Sequence, residues 1–134
     1  MKSFRQFLFY YLPPLLWLGL IFYFSSIPDL KSELPNIWDL ILRKIAHVGE
    51  YGILAVLILR MFLQTKKQQK ESLPDQKLFF REVVITTIVL SILYAFSDEF
   101  HQAFVPGRSG SLSDVGFDAT GVVLGTLFYL RIKV

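Results

Sequence analysis

The feature that most limits how this chain can fold is the length of its apolar runs. A helix needs about 20 largely apolar residues to cross about 30 Å of hydrocarbon. Four stretches reach or approach that length: Phe7 to Phe24 (FLFYYLPPLLWLGLIFYF), Lys44 to Leu63, Phe80 to Phe104 and Leu112 to Leu130. In lipid every backbone N–H and C=O must be bonded inside the protein, which leaves helices or a closed barrel. The runs lack strand alternation. The expected fold class is therefore all-α, a four-helix transmembrane bundle over residues 1–134 as a single domain. The mean hydropathy of +0.47 agrees with that class. With no cysteine there is no disulfide and no thiolate ligand or nucleophile. A net charge of +3 argues against a nucleic-acid partner.

The first run follows Lys2 and Arg5, as a signal peptide would. It exceeds a usual h-region, and no small-x-small cleavage site follows, so it reads as a retained helix. Pro13 and Pro14 should kink it or distort its first turns, because each removes a backbone donor and crowds the preceding turn.

Basic residues set the orientation. Lys2, Arg5, Arg60, Lys66, Lys67, Lys70, Lys77, Arg81, Arg131 and Lys133 would lie on one side, against Lys31, Arg43, Lys44 and Arg108 on the other. Positive charge marks the cytoplasmic side. Both termini and the loop from Gln64 to Arg81 should be cytoplasmic. The segments Ser25 to Arg43 and Val105 to Ser111 should face outward, with Trp38 at the interface. The expected location is the cell membrane, as a multi-pass protein in contact with lipid.

Polar residues then gather at the outward ends of the last three helices. Helical spacing puts Arg43, His47, Glu50, Tyr51 and Leu54 on one stripe. It puts Ser91, Tyr94, Asp98, His101 and Gln102 on a second, with Glu99 turned roughly 100° away. Asp114, Asp118, Gly121 and Gly125 form a third. At 1.5 Å per residue, Glu50 lies about 15 Å from Arg60 and Asp118 about 20 Å from Arg131, deep in the span. A lone charge there costs about 2.5–3.5 kcal/mol on the insertion scale, so both should face the bundle interior and find partners. Gly121 and Gly125 form a small-xxx-small pair. Its simpler use is helix packing within the chain; oligomerisation through the same glycines is the alternative. VPGRSGS should be a tight turn that hangs Arg108 over the cleft mouth.

RKIAHVGEYGIL, YAFSDEFHQAFVPGRSGSLSDVGFDATGVVLG and the four-helix layout together resemble the VanZ-like family. That family is named for a protein associated with teicoplanin resistance. The resemblance runs from the Ser-Ser-Ile-Pro after the first helix to the glycines of the last. The family's recurring positions correspond to Lys44, His47, Glu50, Tyr51, Asp98, Glu99, His101, Gln102, Pro106, Gly107, Arg108, Asp114, Asp118 and Gly121. At Asp118 the family commonly carries asparagine, so this chain adds a carboxyl deep in the helix. The resemblance implies an integral membrane protein and an antibiotic phenotype, without a defined reaction.

Two functional readings stand on these residues. In the first, the chain is an enzyme acting on a lipid or cell-envelope substrate. Its acid–base candidates are His47, Glu50, Asp98, His101 and Asp114. Lys44, Tyr51, Gln102, Arg108 and Asp118 would hold substrate, Arg108 gripping a phosphate or carboxylate with its planar fork. Asp98 would orient a histidine. A divalent metal is a further option, with His47, Glu50, Asp98 and His101 as ligand candidates. No G-x-S-x-G nucleophile motif is present. In the second reading the same cleft recognises a lipid-linked envelope precursor, a glycopeptide or a membrane partner and transforms nothing.

Overall fold

The structure is a computed structural model that describes residues 2–28, 36–67, 76–108 and 110–133. Its elements are α1 (Lys2–Gln6), a π-helical stretch (Phe7–Tyr11), α2 (Leu12–Ser25), α3 (Asn36–Lys67), α4 (Gln76–Gln102) and α5 (Leu112–Lys133). No strand occurs among the described residues. α1, the π stretch and α2 run on as one rod, so the described residues form four rods. All four are long and apolar enough to cross a membrane: Phe4–Ser25, Ile37–Thr65, Lys77–Gln102 and Leu112–Lys133.

The π stretch has a local cause. Pro13 and Pro14 have no N–H to give the carbonyls of Phe9 and Tyr10, and widening the turn ahead of them removes the ring clash. The expected distortion is thus a π insertion. α3 begins eight residues earlier than the apolar run implies. Asn36 to Arg43, expected in an outer loop, is helix. Asp39 in its first turn pairs with Arg43 at 3.0 Å, one turn on, so charge at this end is accommodated in the helix. Residues 68–75, at the centre of the basic loop, and 29–35, which include Lys31, lie outside the described residues.

Contacts fix the order of the rods. Tyr11 Oη meets Thr65 Oγ1 at 2.7 Å and the Arg60 guanidinium covers the Tyr10 ring, so the first and second rods are antiparallel. The Tyr94 hydroxyl donates to the Leu18 carbonyl at 2.7 Å and Phe22 stacks on His101, so the first and third are parallel. α3 and α5 are parallel as well, through His47–Asp118 and the glycines described below. This is an up-down-up-down bundle with both ends of the chain at one end of it.

Outside, the bundle is apolar: Leu16, Ile45, Leu93 and Phe128 are 63%, 62%, 58% and 65% exposed. Such a surface on all four rods suits lipid and would be a large aggregation patch in water. Inside, Ile21, Tyr51, Leu54, Ala55, Val115 and Val122 form the core. Lipid tails are as apolar as these side chains, so association rests on close packing and internal hydrogen bonds. Gly121 and Gly125 supply the closest approach. A Cβ on Gly121 would come within 2.2 Å of the Val48 carbonyl oxygen, and one on Gly125 within 2.2 Å of that of Gly52. The small-xxx-small face is therefore occupied within the chain, by α3.

Candidate functional site

At the end of the bundle away from the termini, α3, α4 and α5 part around a polar cleft. Its volume is about 270 Å³, and Arg43, Lys44, His47, Gln102, Arg108, Ser111, Ser113 and Asp114 are in its lining. A smaller cavity of about 70 Å³ shares Arg43, His47, Gln102 and Arg108 and reaches Ser25 and Glu50. The shared residues make the two cavities neighbours, the second lying toward α2.

The turn that roofs the cleft is built by glycine and by Arg108. Gly107 has φ 76°, the left-handed region that favours glycine. Gly110 lies so close to α4 that a Cβ would come within 2.3 Å of the Glu99 carbonyl oxygen. Arg108 donates from Nε to the Ile27 carbonyl at 3.0 Å, and from its two terminal nitrogens to the Phe24 carbonyl at 2.8 Å and Gln102 Oε1 at 3.2 Å. The Phe24 carbonyl takes a long bond of 3.3 Å from the Ile27 N–H, and the Ile27 carbonyl lies past the end of α2, so the guanidinium adds a charged donor to both. Arg108 lines the cleft as expected, but its fork is spent mainly on tying the turn to α2. Ser111 caps α5: its Oγ accepts from the Ser113 N–H at 3.2 Å, while its own N–H donates to Glu99 Oε2 at 2.7 Å.

The predicted residues divide into three groups. Lys44 and Asp114 form an ion pair at the mouth, the ammonium also lying 4.8 Å from the Phe117 ring centroid. Beneath them His47 Nδ1 is 2.9 Å from Asp118 Oδ1. Asp118 has no exposed surface and lies behind His47, which lines the cleft. The second group packs toward α2: Gln102 Nε2 donates to Asp98 Oδ2 at 2.8 Å, and Tyr51 is fully buried beside Asp98, its ring 6.4 Å from that of Tyr94. Tyr51 therefore belongs to the core and not to the cleft wall. Asp98 orients Gln102, and the acid that orients a histidine is Asp118. Glu50 lines the smaller cavity, and its backbone carbonyl accepts the Trp17 indole N–H at 2.9 Å.

His101 stands apart. Its Nε2 lies 3.0 Å from Ser26 Oγ and its ring stacks on Phe22 at 4.5 Å, so it faces α2 and lines neither cavity. The residue that takes its place is Glu99, which helical spacing puts off the polar stripe. Glu99 is 5% exposed, and donor atoms of His47, Glu99 and Asp118 all lie within 4.8 Å of one another. A stripe about 100° wide describes a helix with one neighbour. α4 packs against α2, α3 and α5, so its buried face is wider and takes in Asp98 and Glu99 together. A second acid inside an apolar span is the signal, since lone charges there must face inward.

A model of the VanZ/LLP1 family matches residues 7–133, nearly the whole chain. The protein belongs to the VanZ/LLP1 family. No curated protein and no solved structure matches it. The match spans all four rods, so in this VanZ/LLP1 protein the cleft, its roof and the glycine crossing all lie inside the family region.

Proposed function

We propose that this VanZ/LLP1 protein is an enzyme that takes the anionic headgroup of a lipid-linked envelope substrate into the cleft, with His47 as its proton carrier. The observation that carries the reading is His47 itself. It lines both cavities and is hydrogen-bonded to a carboxylate with no exposed surface. An acid behind an imidazole holds one tautomer and steadies the imidazolium. With Nδ1–H donating to Asp118 Oδ1, Nε2 is the basic atom, able to take a proton from water or a hydroxyl group and return it to a leaving group. Arg43, Lys44 and Arg108 give the walls the charge that suits phosphate or carboxylate. The volume fits a headgroup and not a whole lipid, whose tails would remain in the bilayer.

The orientation follows from charge. Ten of the fourteen Lys and Arg residues belong with the end that carries the termini, so that end is cytoplasmic and the cleft opens outward in the cell membrane. The chain has no native cysteine, so single cysteines introduced at residues 3 and 107 can be labelled with an impermeant maleimide. Labelling at 107 and protection at 3 in intact cells is expected. A link to teicoplanin would arise through the envelope lipid, and is read as a change in teicoplanin susceptibility when the chain is expressed.

Recognition without turnover is the second reading, favoured by one observation. The wall cations are already engaged: Arg43 with Asp39, Lys44 with Asp114, and Arg108 with Gln102 and two carbonyls. His47→Asn separates the two, because an asparagine amide can replace Nδ1 as donor to Asp118 but is not a base. With a phosphate-headed lipid-linked precursor in nanodiscs, the enzyme reading expects product from the wild type and binding without product from the variant. Binding without product in both proteins supports recognition, and no binding in either sinks both readings. Oligomerisation is a separate matter, since the Gly121 and Gly125 face is already taken by Val48 and Gly52.

A further inference from the structure

Carboxyl groups outnumber cations at this end of the bundle interior. Among the described residues, Glu50, Asp98, Glu99 and Asp118 share it with the guanidinium of Arg108 and the imidazole of His47, while Arg43 pairs with Asp39 and Lys44 with Asp114. Negative charge in a low-dielectric interior is expensive unless something positive joins it.

Two of these carboxyls show where it would sit. One oxygen of each is fixed: Asp118 Oδ1 by His47 Nδ1 at 2.9 Å, and Glu99 Oε2 by the Ser111 N–H at 2.7 Å. The other oxygen of each, Asp118 Oδ2 and Glu99 Oε1, is buried with no hydrogen-bond partner. Asp118 is 0% and Glu99 5% exposed, and one donor atom from each of His47, Glu99 and Asp118 lies within 4.8 Å of the others. Three ligand atoms around one ion at about 2.0–2.2 Å from it must fall inside such a spread. Bare acceptor oxygens, half-fixed side chains and an imidazole on three different helices make a preorganised ligand set and not merely an acidic patch.

We propose that His47, Glu99 and Asp118 form a divalent-cation site at the floor of the cleft. One imidazole and two carboxylates, with no thiolate, suit a first-row ion such as Zn²⁺ or Mn²⁺ better than the all-oxygen preference of Ca²⁺ or Mg²⁺. Three protein ligands leave a coordination position for water or a headgroup oxygen. The ligand set differs from the one expected from sequence, since Glu99 and Asp118 replace Glu50, Asp98 and His101. It also depends on Asp118, the position where the resemblance calls for asparagine. This inference builds on the proposed cleft function: with an ion bound, His47 would serve as a ligand and not as the free base, and ion-bound water would take over the proton transfer, while what enters the cleft stays the same and the test needs no substrate.

Protein in nanodiscs is stripped with a chelator and titrated with Zn²⁺ and, separately, Mn²⁺ by calorimetry. The expected result is saturable uptake of about one ion per chain, weakened about 100-fold or more in Glu99→Gln and in His47→Asn. His101→Ala, whose ring faces Ser26 and Phe22, should leave the affinity unchanged. Both ligand variants keep the hydrogen bonds described above. The amide introduced by Glu99→Gln still accepts from the Ser111 N–H, and the one introduced by His47→Asn still donates to Asp118. Thermal unfolding checks that both variants fold. X-ray absorption at the metal edge of the wild type gives a second readout, expected to show one imidazole among oxygen ligands. No saturable uptake of either ion overturns the proposal. So does uptake undiminished in both ligand variants, loss in His101→Ala, or a two-imidazole shell. Lipid binding by the stripped protein is measured separately, so failure of the ion site and failure of the lipid reading are told apart.

Discussion

The seam between α3 and α5 has two halves that use opposite chemistry. From Lys44 to His47 it is made of charge: Lys44 meets Asp114, and His47 meets Asp118. From Val48 to Gly52 it is made of bare backbone, with Gly121 under Val48 and Gly125 under Gly52. The glycine half holds the helices together by proximity, which in lipid is the available source of packing energy. It also fixes the spacing of the charged half one turn away. The charged half leaves the buried Asp118 Oδ2 without a hydrogen-bond partner and opens into a cavity, features that cost stability and give the seam no packing advantage. One seam therefore joins a structural lock to the candidate site.

The hardest break in that comparison is at the lock. Gly125→Leu places side-chain carbons where the Gly52 carbonyl lies, so α3 and α5 must move apart, at a cost of about 3 kcal/mol or more. Loss of the monodisperse species on size exclusion, with collapse of the thermal transition, is the expected result.

Next in size is the roof. Arg108→Ala removes three charge-assisted hydrogen bonds, two of them to the carbonyls of Phe24 and Ile27, for about 2 kcal/mol. Thermal unfolding should show that loss, and faster proteolysis should appear between Phe104 and Ser111. Arg108→Lys should not rescue it, because an ammonium cannot reproduce the fork. His101→Ala should cost about 1 kcal/mol, from the Ser26 hydrogen bond and the Phe22 stack, without altering the cleft. The smallest effect is at the mouth. A double-mutant cycle over Lys44→Met and Asp114→Asn should give a coupling of about 0.5 kcal/mol, since the pair is partly open to solvent.

How much of this is legible in the sequence depends on whether the cause is local. The four rods follow from apolar length, and the distortion near Pro13 and Pro14 from a missing donor. The glycine lock follows from the spacing of Gly121 and Gly125, since only small residues permit such an approach. The start of α3 is misplaced when charge is read as the end of the span, because Asp39 and Arg43 pair along the helix. Glu99 is missed when one stripe is taken as the whole buried face of a helix that packs against three others. That Asp118 finds a partner inside the bundle is legible from its depth, but that the partner is His47 and not another of the chain's basic residues is not. His47 lies 71 residues away, on a parallel neighbour whose register the glycines decide. The clamp of Arg108 on the carbonyls of Phe24 and Ile27 is hidden for the same reason, since backbone acceptors carry no sequence signature.

The central claim is that the charged half of the seam works and does not merely hold. The direct measurement is His47→Asn in nanodiscs, with thermal unfolding and turnover of a phosphate-headed lipid-linked precursor read on the same sample. The account predicts a melting temperature within about 4 °C of the wild type together with turnover reduced about 100-fold or more. A variant that unfolds cooperatively at much lower temperature, or one that folds and turns over substrate as the wild type does, would contradict it.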